Sequence, residues 1–286
     1  MTKPEEFVSS LYRQRYPDLR QFNEEAIWNH WKDYGQTEGR NGSGLNSRQD
    51  FLQHLKDFEY ILEIGPWDRP SLEFLKAISG LNIDYADYFS EEELRKLAEQ
   101  TPGRNAELVP KIKYVLSNGY TQIVDKYDAI VSHHCIEHQP DLIQHLLDIH
   151  KILKPGGSYW FTIPNCEMCF DHYIPKSNIV DLIVAHEEKR SRPSLKSVIQ
   201  QLCFIQENWK DGNNPYEITN KEISAKIKSA VSHYNSVNYA DAHCWQFTSM
   251  NFKKLIIQLA KLGYLPEDIS INTYGMDGEF CGIISF

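Results

Sequence analysis

The stretch Tyr60-Ile-Leu-Glu-Ile-Gly-Pro66 decides the fold. A short apolar run suited to a buried strand ends in a glycine, and helical sequence resumes at about Ser71. Glycine at such a junction lets the backbone turn sharply beneath a bound ligand. Glu63, just before the turn, can meet a cationic ligand group. The second and third glycines of a dinucleotide-binding loop are replaced by Trp67 to Pro70, which weighs against a pyrophosphate ligand and a nicotinamide oxidoreductase. Asp87 follows the next apolar run, 22 residues after Gly65, close to the offset of about 20 at which a carboxylate binds ribose hydroxyls. Taken alone Asp87 reads as a solvated loop residue; with the glycine turn it reads as the ribose ligand.

Working outward, short apolar strands alternate with helical segments from Phe58 on, as in a parallel sheet with crossover helices. Strands are expected at Tyr60–Ile64, Ile83–Ala86, Ile112–Leu116, Ala129–Ser132 and Tyr159–Ile163, with helices from Ser71 and over Leu142–Leu153. After Ile163 the alternation lapses for about 80 residues before regular structure resumes, a length that marks a functional insertion, read as a substrate cap over about residues 165–245. Helix Ser249–Leu262 and strands Ile269–Thr273 and Phe280–Ser285 close the domain. The gap between those strands is short enough for a hairpin, so the α/β sheet carries an antiparallel last strand.

At the other end, Phe7 to Arg40 reads as a small helical appendage, with Ile27, Trp28, Trp31 and Tyr34 spaced along one helix. Asn41-Gly-Ser-Gly44 reads as a linker, giving an N-terminal module over 1–44 and a main domain over 45–286. Thirty Lys and Arg against 39 Asp and Glu leave a net charge of −9, which would repel nucleic acid. No apolar run reaches the roughly 20 residues of a membrane span and no signal peptide is apparent, so the expected location is cytoplasmic. Of six cysteines, Cys166 and Cys169 form one close pair without the second that a zinc site needs, and reduced buried thiols are expected.

Leu62-Glu63-Ile64-Gly65 resembles the first motif of the class I S-adenosylmethionine-dependent methyltransferases. Tyr127-Asp-Ala-Ile-Val-Ser-His-His-Cys-Ile-Glu-His138 resembles their fourth-strand motif, and Leu153-Lys-Pro-Gly-Gly157 is similar to their turn into strand 5. The resemblance covers about residues 58 to 165 closely and 245 to 286 by topology, and implies a Rossmann-like sheet with S-adenosylmethionine as cofactor. It also implies that Glu63 and Gly65, with Pro66 beside them, contact the methionine end, that Asp87 holds the ribose, that Ser117 and Asn118 flank the adenine, and that His133 lies along the sulfonium. Cys169-Phe-Asp-His172, Ala185-His186 and Asp241-Ala-His-Cys-Trp245 are similar to methyltransferases associated with bacterial surface-polysaccharide genes. The N-terminal unit resembles a short helical segment found beside bacterial glycosyltransferase and methyltransferase domains. Such a unit serves packing, self-association, glycan binding or a glycosyltransferase partner.

Methyl transfer to a hydroxyl needs an aligned nucleophile and a base, a task suited to histidine near neutral pH. His138, one turn beyond the fourth strand, is the first candidate, with His172 and His243 next. Asp171, His172, His186, Asp241 and His243 can all bind metals, but they lie far apart in sequence and no metal is assigned from them. The expected function is O-methylation of a sugar or glycan intermediate. The rivals are another small-molecule acceptor and a catalytically silent scaffold, since fold alone does not establish activity.

Overall fold

A computed structural model describes residues 4–217 and 221–286. The strands are β1 (Tyr60–Ile64), β2 (Asn82–Asp87), β3 (Tyr114–Val115), β4 (Tyr127–His133), β5 (Leu153–Pro164), β6 (Ser270–Gly275) and β7 (Glu279–Ser285), in spatial order β3-β2-β1-β4-β5-β7-β6. Pairs from β3 through β5 are parallel, and β7 runs antiparallel between β5 and β6. The sheet is therefore the Rossmann-like α/β sheet with an antiparallel last strand.

The helices are α1 (Ser9–Arg15), α2 (Glu24–His30), α3 (Arg48–Leu52), α4 (Glu73–Ser79), α5 (Glu91–Gln100), α6 (Leu142–Ile152), α7 (Ile179–Glu187), α8 (Leu195–Cys203), α9 (Lys221–Ser236) and α10 (Ser249–Lys261). Helices cover both faces of the sheet, so its central strands are apolar rather than alternating. Leu62, Ile130, Tyr159 and Phe161 pack toward α6 and α10, while Ile61, Val131 and Trp160 pack toward α3 and the start of α4. Each such fully buried large side chain contributes about 1.5–3 kcal/mol. Gly282 of β7 faces Phe161 of β5, whose ring fills the space a Cβ would need. Among the described residues no helix is long and apolar enough to cross a membrane.

Two expectations need correction. The stretch after Ile163 holds α7, α8 and α9. Helix α7 escapes the sequence pattern because it is apolar on most sides, with Val180 and Val184 exposed and Leu182 and Ala185 buried. The second correction concerns Asn41–Gly44, a packed loop rather than a flexible linker. The Arg15 guanidinium donates to the carbonyls of Asn41 at 3.2 Å and Leu45 at 2.9 Å, and Ser43 is fully buried. Glu6 reaches the main sheet region through Lys253 at 2.8 Å and Asn272 at 3.1 Å.

Candidate active site

The strand order reverses between β1 and β4, and in open α/β sheets ligands bind at the carboxyl ends of strands beside such a reversal. Gly65 leaves β1 with φ +71°, and a side chain there would collide with Cys135 Sγ in the turn after β4. The two turns are in contact, so glycine is required by conformation and by space. Pro66 is buried beside it, and Trp67 holds φ +44°, unusual for a residue with a side chain. That strain is held by neighbours. Asp68, buried, accepts from Arg104 and from the Asn105 N–H, both at 2.9 Å, and the Arg104 guanidinium covers the Trp67 ring at 3.8 Å. Trp67, Asp68 and Arg104 do for this loop what further glycines do elsewhere, and nothing in their spacing announces it.

Glu63 is 1% exposed; Oε1 accepts from the Ser71 N–H at 2.7 Å, while Oε2 has no hydrogen-bond partner. Burial pushes its carboxyl up to about 7. Asp87, also buried, accepts long hydrogen bonds from the N–H groups of Phe89 at 3.3 Å and Trp67 at 3.4 Å, and burial raises it to about 6. Trp67 Nε1 is a buried donor without a partner. Ser117 and Asn118 are exposed in the turn after β3, where the Ser117 N–H donates to Tyr88 beyond β2. His133 spans the site as a strut, with Nδ1 2.8 Å from Thr162 of β5 and Nε2 2.9 Å from Ser71. Burial, aided by the charge of Arg48, lowers it to about 3, so the ring is neutral.

Beyond β4 a second polar cluster forms. His138 Nδ1 lies 2.9 Å from Asp241 Oδ1, and His243 Nδ1 lies 2.6 Å from Asp171 Oδ2. The two rings meet edge to face with centroids 4.8 Å apart. A carboxylate accepts and cannot donate, so each Nδ1 carries the proton and a neutral ring keeps its lone pair at Nε2. Burial opposes charging of His138, but the Asp241 hydrogen bond and the Glu137 charge outweigh it and raise its pKa. Glu137 is 1% exposed and neither of its oxygens makes a hydrogen bond; Oε1 has an ion-pair contact with His134 at 3.5 Å. Burial opposes charge on His134 too, but Glu137 and Glu279 raise it to about 9.

The insertion covers this cluster. The N–H groups of Cys244 and Trp245 donate to the Glu137 carbonyl at 2.7 and 3.3 Å, and Trp245 Nε1 donates to the Gln139 carbonyl at 2.6 Å. Tyr239 packs on Tyr88, beside Asp87, with ring centroids 5.4 Å apart. His138 and His243 are thus brought together, but His172 is turned elsewhere. Its Nδ1 faces the Glu167 carbonyl at 2.8 Å, its ring stacks on Trp209, and it lines a cleft of about 550 Å³ with Glu38 and Lys176. His186 is held by Asp141, the cap of α6, 3.1 Å away. Sequence reading missed Glu137 as a site residue and the two His–Asp pairings. Glu137 stands beside His138 in the motif, but partners about 70 and 100 residues apart leave no local signal.

Residues 42–220, more than half of the chain, match a family model described as a methyltransferase domain. No curated protein matches the chain. Among solved structures the chain is similar to the plantazolicin methyltransferase BpumL in complex with a triazolic desmethylPZN analog and SAH, at 13% identity and a TM-score of 0.43, over 97% of this chain and 95% of that one. It is also similar to a DhpI-SAM-HEP complex, at 13% identity and 0.41, over 96% and 94%. A third, the citrinin polyketide synthase CMeT domain, shares 15% identity at 0.40, over 83% of this chain and 50% of that one. With its sheet and the match over residues 42–220, the chain belongs to the methyltransferase-domain family and is an S-adenosylmethionine-dependent methyltransferase.

Proposed function

We propose that this methyltransferase methylates a hydroxyl oxygen of a sugar or glycan intermediate, in surface-polysaccharide synthesis, within a pocket between the strand ends and the insertion. The observation that carries the reading is the pair of His–Asp couples meeting beside buried Glu137. The cofactor supplies a methyl group on positively charged sulfur, which leaves the chain two tasks, alignment and removal of the acceptor proton.

The residues present suit that cofactor. Glu63 Oε2 is a buried acceptor and Trp67 Nε1 a buried donor, both unpartnered, which suits an amino-acid group carrying ammonium and carboxylate. Gly65 and Pro66 would border the same end. Asp87, with only long backbone bonds, retains lone pairs for two ribose hydroxyls, and Ser117 and Asn118 would flank the base. Neutral His133 adds no repulsion beside a sulfonium. In the metal-free chain His138 is the base, oriented by Asp241, and His243 is its neighbour on the acceptor side. The glycan class rests on the likeness of the Cys169–His172, Ala185–His186 and Asp241–Trp245 segments to polysaccharide-associated methyltransferases. We keep the division at residue 44, with residues 165–245 as the acceptor cap.

Calorimetry of the full chain with S-adenosylmethionine and its demethylated product, followed by transfer of labelled methyl to a panel of sugars and nucleotide sugars, tests the reading. O-methylated sugar is the expected product. Transfer confined to nitrogen or carbon acceptors would sink the glycan assignment, and lack of cofactor binding would sink the site.

A further inference from the structure

One ring nitrogen of His138, one of His243 and a carboxylate oxygen of Glu137 lie within 4.8 Å of one another. Two independent observations mark this as more than a crowded surface. Glu137 is buried with neither oxygen in a hydrogen bond: Oε1 has only the 3.5 Å ion-pair contact with His134, and Oε2 has no partner. Buried carboxylate oxygens without donors are costly unless a cation meets them. Each histidine is also held through Nδ1 by a carboxylate, Asp241 for His138 and Asp171 for His243. That outer support fixes the tautomer, leaves Nε2 as ligand atom and raises its basicity, as in carboxylate–histidine–metal arrangements.

We infer that Glu137, His138 and His243 bind a divalent transition-metal ion. Two imidazoles and one carboxylate suit zinc, iron, cobalt or manganese better than magnesium or calcium, which prefer all-oxygen sets. Three protein ligands leave positions open for water or an acceptor hydroxyl. Bonds of about 2.0–2.2 Å put ligand atoms roughly 3–3.5 Å apart, so the side chains close by about an ångström on binding. Glu137 and His138 share the turn after β4 while His243 belongs to the insertion, so the ion fastens the cap onto the strand ends. Metal binding itself does not depend on the acceptor assignment. Only its catalytic use rests on that reading: a metal-held hydroxyl is acidified, and His138 then serves as ligand instead of base.

The test uses the full chain, stripped with chelator and titrated with Co²⁺ and Zn²⁺, read by calorimetry and by the visible spectrum of cobalt. One equivalent with a nitrogen–oxygen cobalt spectrum is expected. Asp241→Asn should weaken binding about 10–100-fold, the range for outer-shell partners, and Glu137→Gln and His138→Gln by more. If the isosteric Glu137→Gln fails to fold, His138→Gln decides, because that side chain is 30% exposed. No stoichiometric binding, binding indifferent to these substitutions, or a cobalt–thiolate spectrum from Cys166 and Cys169 would each overturn the site. None of these would touch the methyltransferase reading, which is measured separately through cofactor binding.

Discussion

The proposed cofactor side is drawn from Glu63 to His133, residues at the ends of neighbouring strands, whereas the proposed acceptor side joins Glu137 and His138 to Asp171, Asp241 and His243 across the insertion. On the first side, hydrogen-bonded register carries each side chain to a common edge as soon as the strands pair. On the second, no register exists, and the polar groups converge only when the insertion closes over the turn after β4. The two sides should therefore fail separately: damage to one costs binding, and damage to the other costs turnover.

The largest expected effect tests that separation. In the metal-free chain His138→Ala should lower kcat about 10²–10⁴-fold, the usual worth of a general base, and leave the Kd for S-adenosylmethionine nearly unchanged. Collapse of cofactor affinity would mean that the two sides are one unit. Asp87→Ala should do the reverse, with a loss on the order of 1.5–3 kcal/mol per hydroxyl bond, or about tenfold to a hundredfold and beyond in Kd. A correctly folded variant with unchanged Kd would move the ribose elsewhere.

A smaller effect comes from pH. Glu63, about 7 in the folded chain against 4.5 ordinarily, keeps a proton in the folded state that the unfolded chain has released. The cofactor-free protein should accordingly lose stability as pH rises from about 4.5 to 7 and level off above that. An ammonium on Glu63 favours the charged form, so cofactor affinity should rise over the same window by up to about tenfold per pH unit, with proton uptake by buffer seen in calorimetry. Asp87, raised to about 6, acts in the same direction. Glu63→Gln should flatten the Glu63 part of the profile; a profile unaltered by it would remove Glu63 from the cofactor's amino end.

The smallest effect lies outside both sides. Glu6→Gln removes the ion pair to Lys253, in which both side chains are at least one-third exposed. It should cost less than about 1 kcal/mol and shift Tm by at most roughly 2–4 °C, with Kd and kcat unmoved. A change in either constant would tie the N-terminal helices to the site.

Much of the sheet was legible because its central strands are covered on both faces and so appear as apolar runs bounded by turns, as at Tyr60–Ile64 and Tyr159–Ile163. The place of Asp87 at the end of β2 was legible for a similar reason, since its distance from Gly65 is the length of one crossover. The insertion was not. Helix α7 is apolar on most sides, and a helix without a single stripe gives no period to read. The glycine-rich loop at 41–44 looked like a linker because composition does not show that Arg15, at the end of α1 and 26 residues before Asn41, will take up its carbonyls.

By itself the sequence determined what depends on neighbours along the chain: the strand and helix periods, the glycine turn after β1, the carboxylates at positions 63 and 87, and His133 and His138 at and just beyond the end of β4. Only tertiary structure decided which histidines meet. His138, held by Asp241, and His243, held by Asp171, meet edge to face while His172 stacks on Trp209, an outcome set by how the insertion's helices pack and not by any local preference. It also decided that Trp67 can stand at positive φ, because Asp68 and Arg104 from the far side of α5 hold it there. Local patterns carry short-range torsional and burial preferences, whereas a polar centre drawn from distant segments exists only once the core has brought those segments into contact.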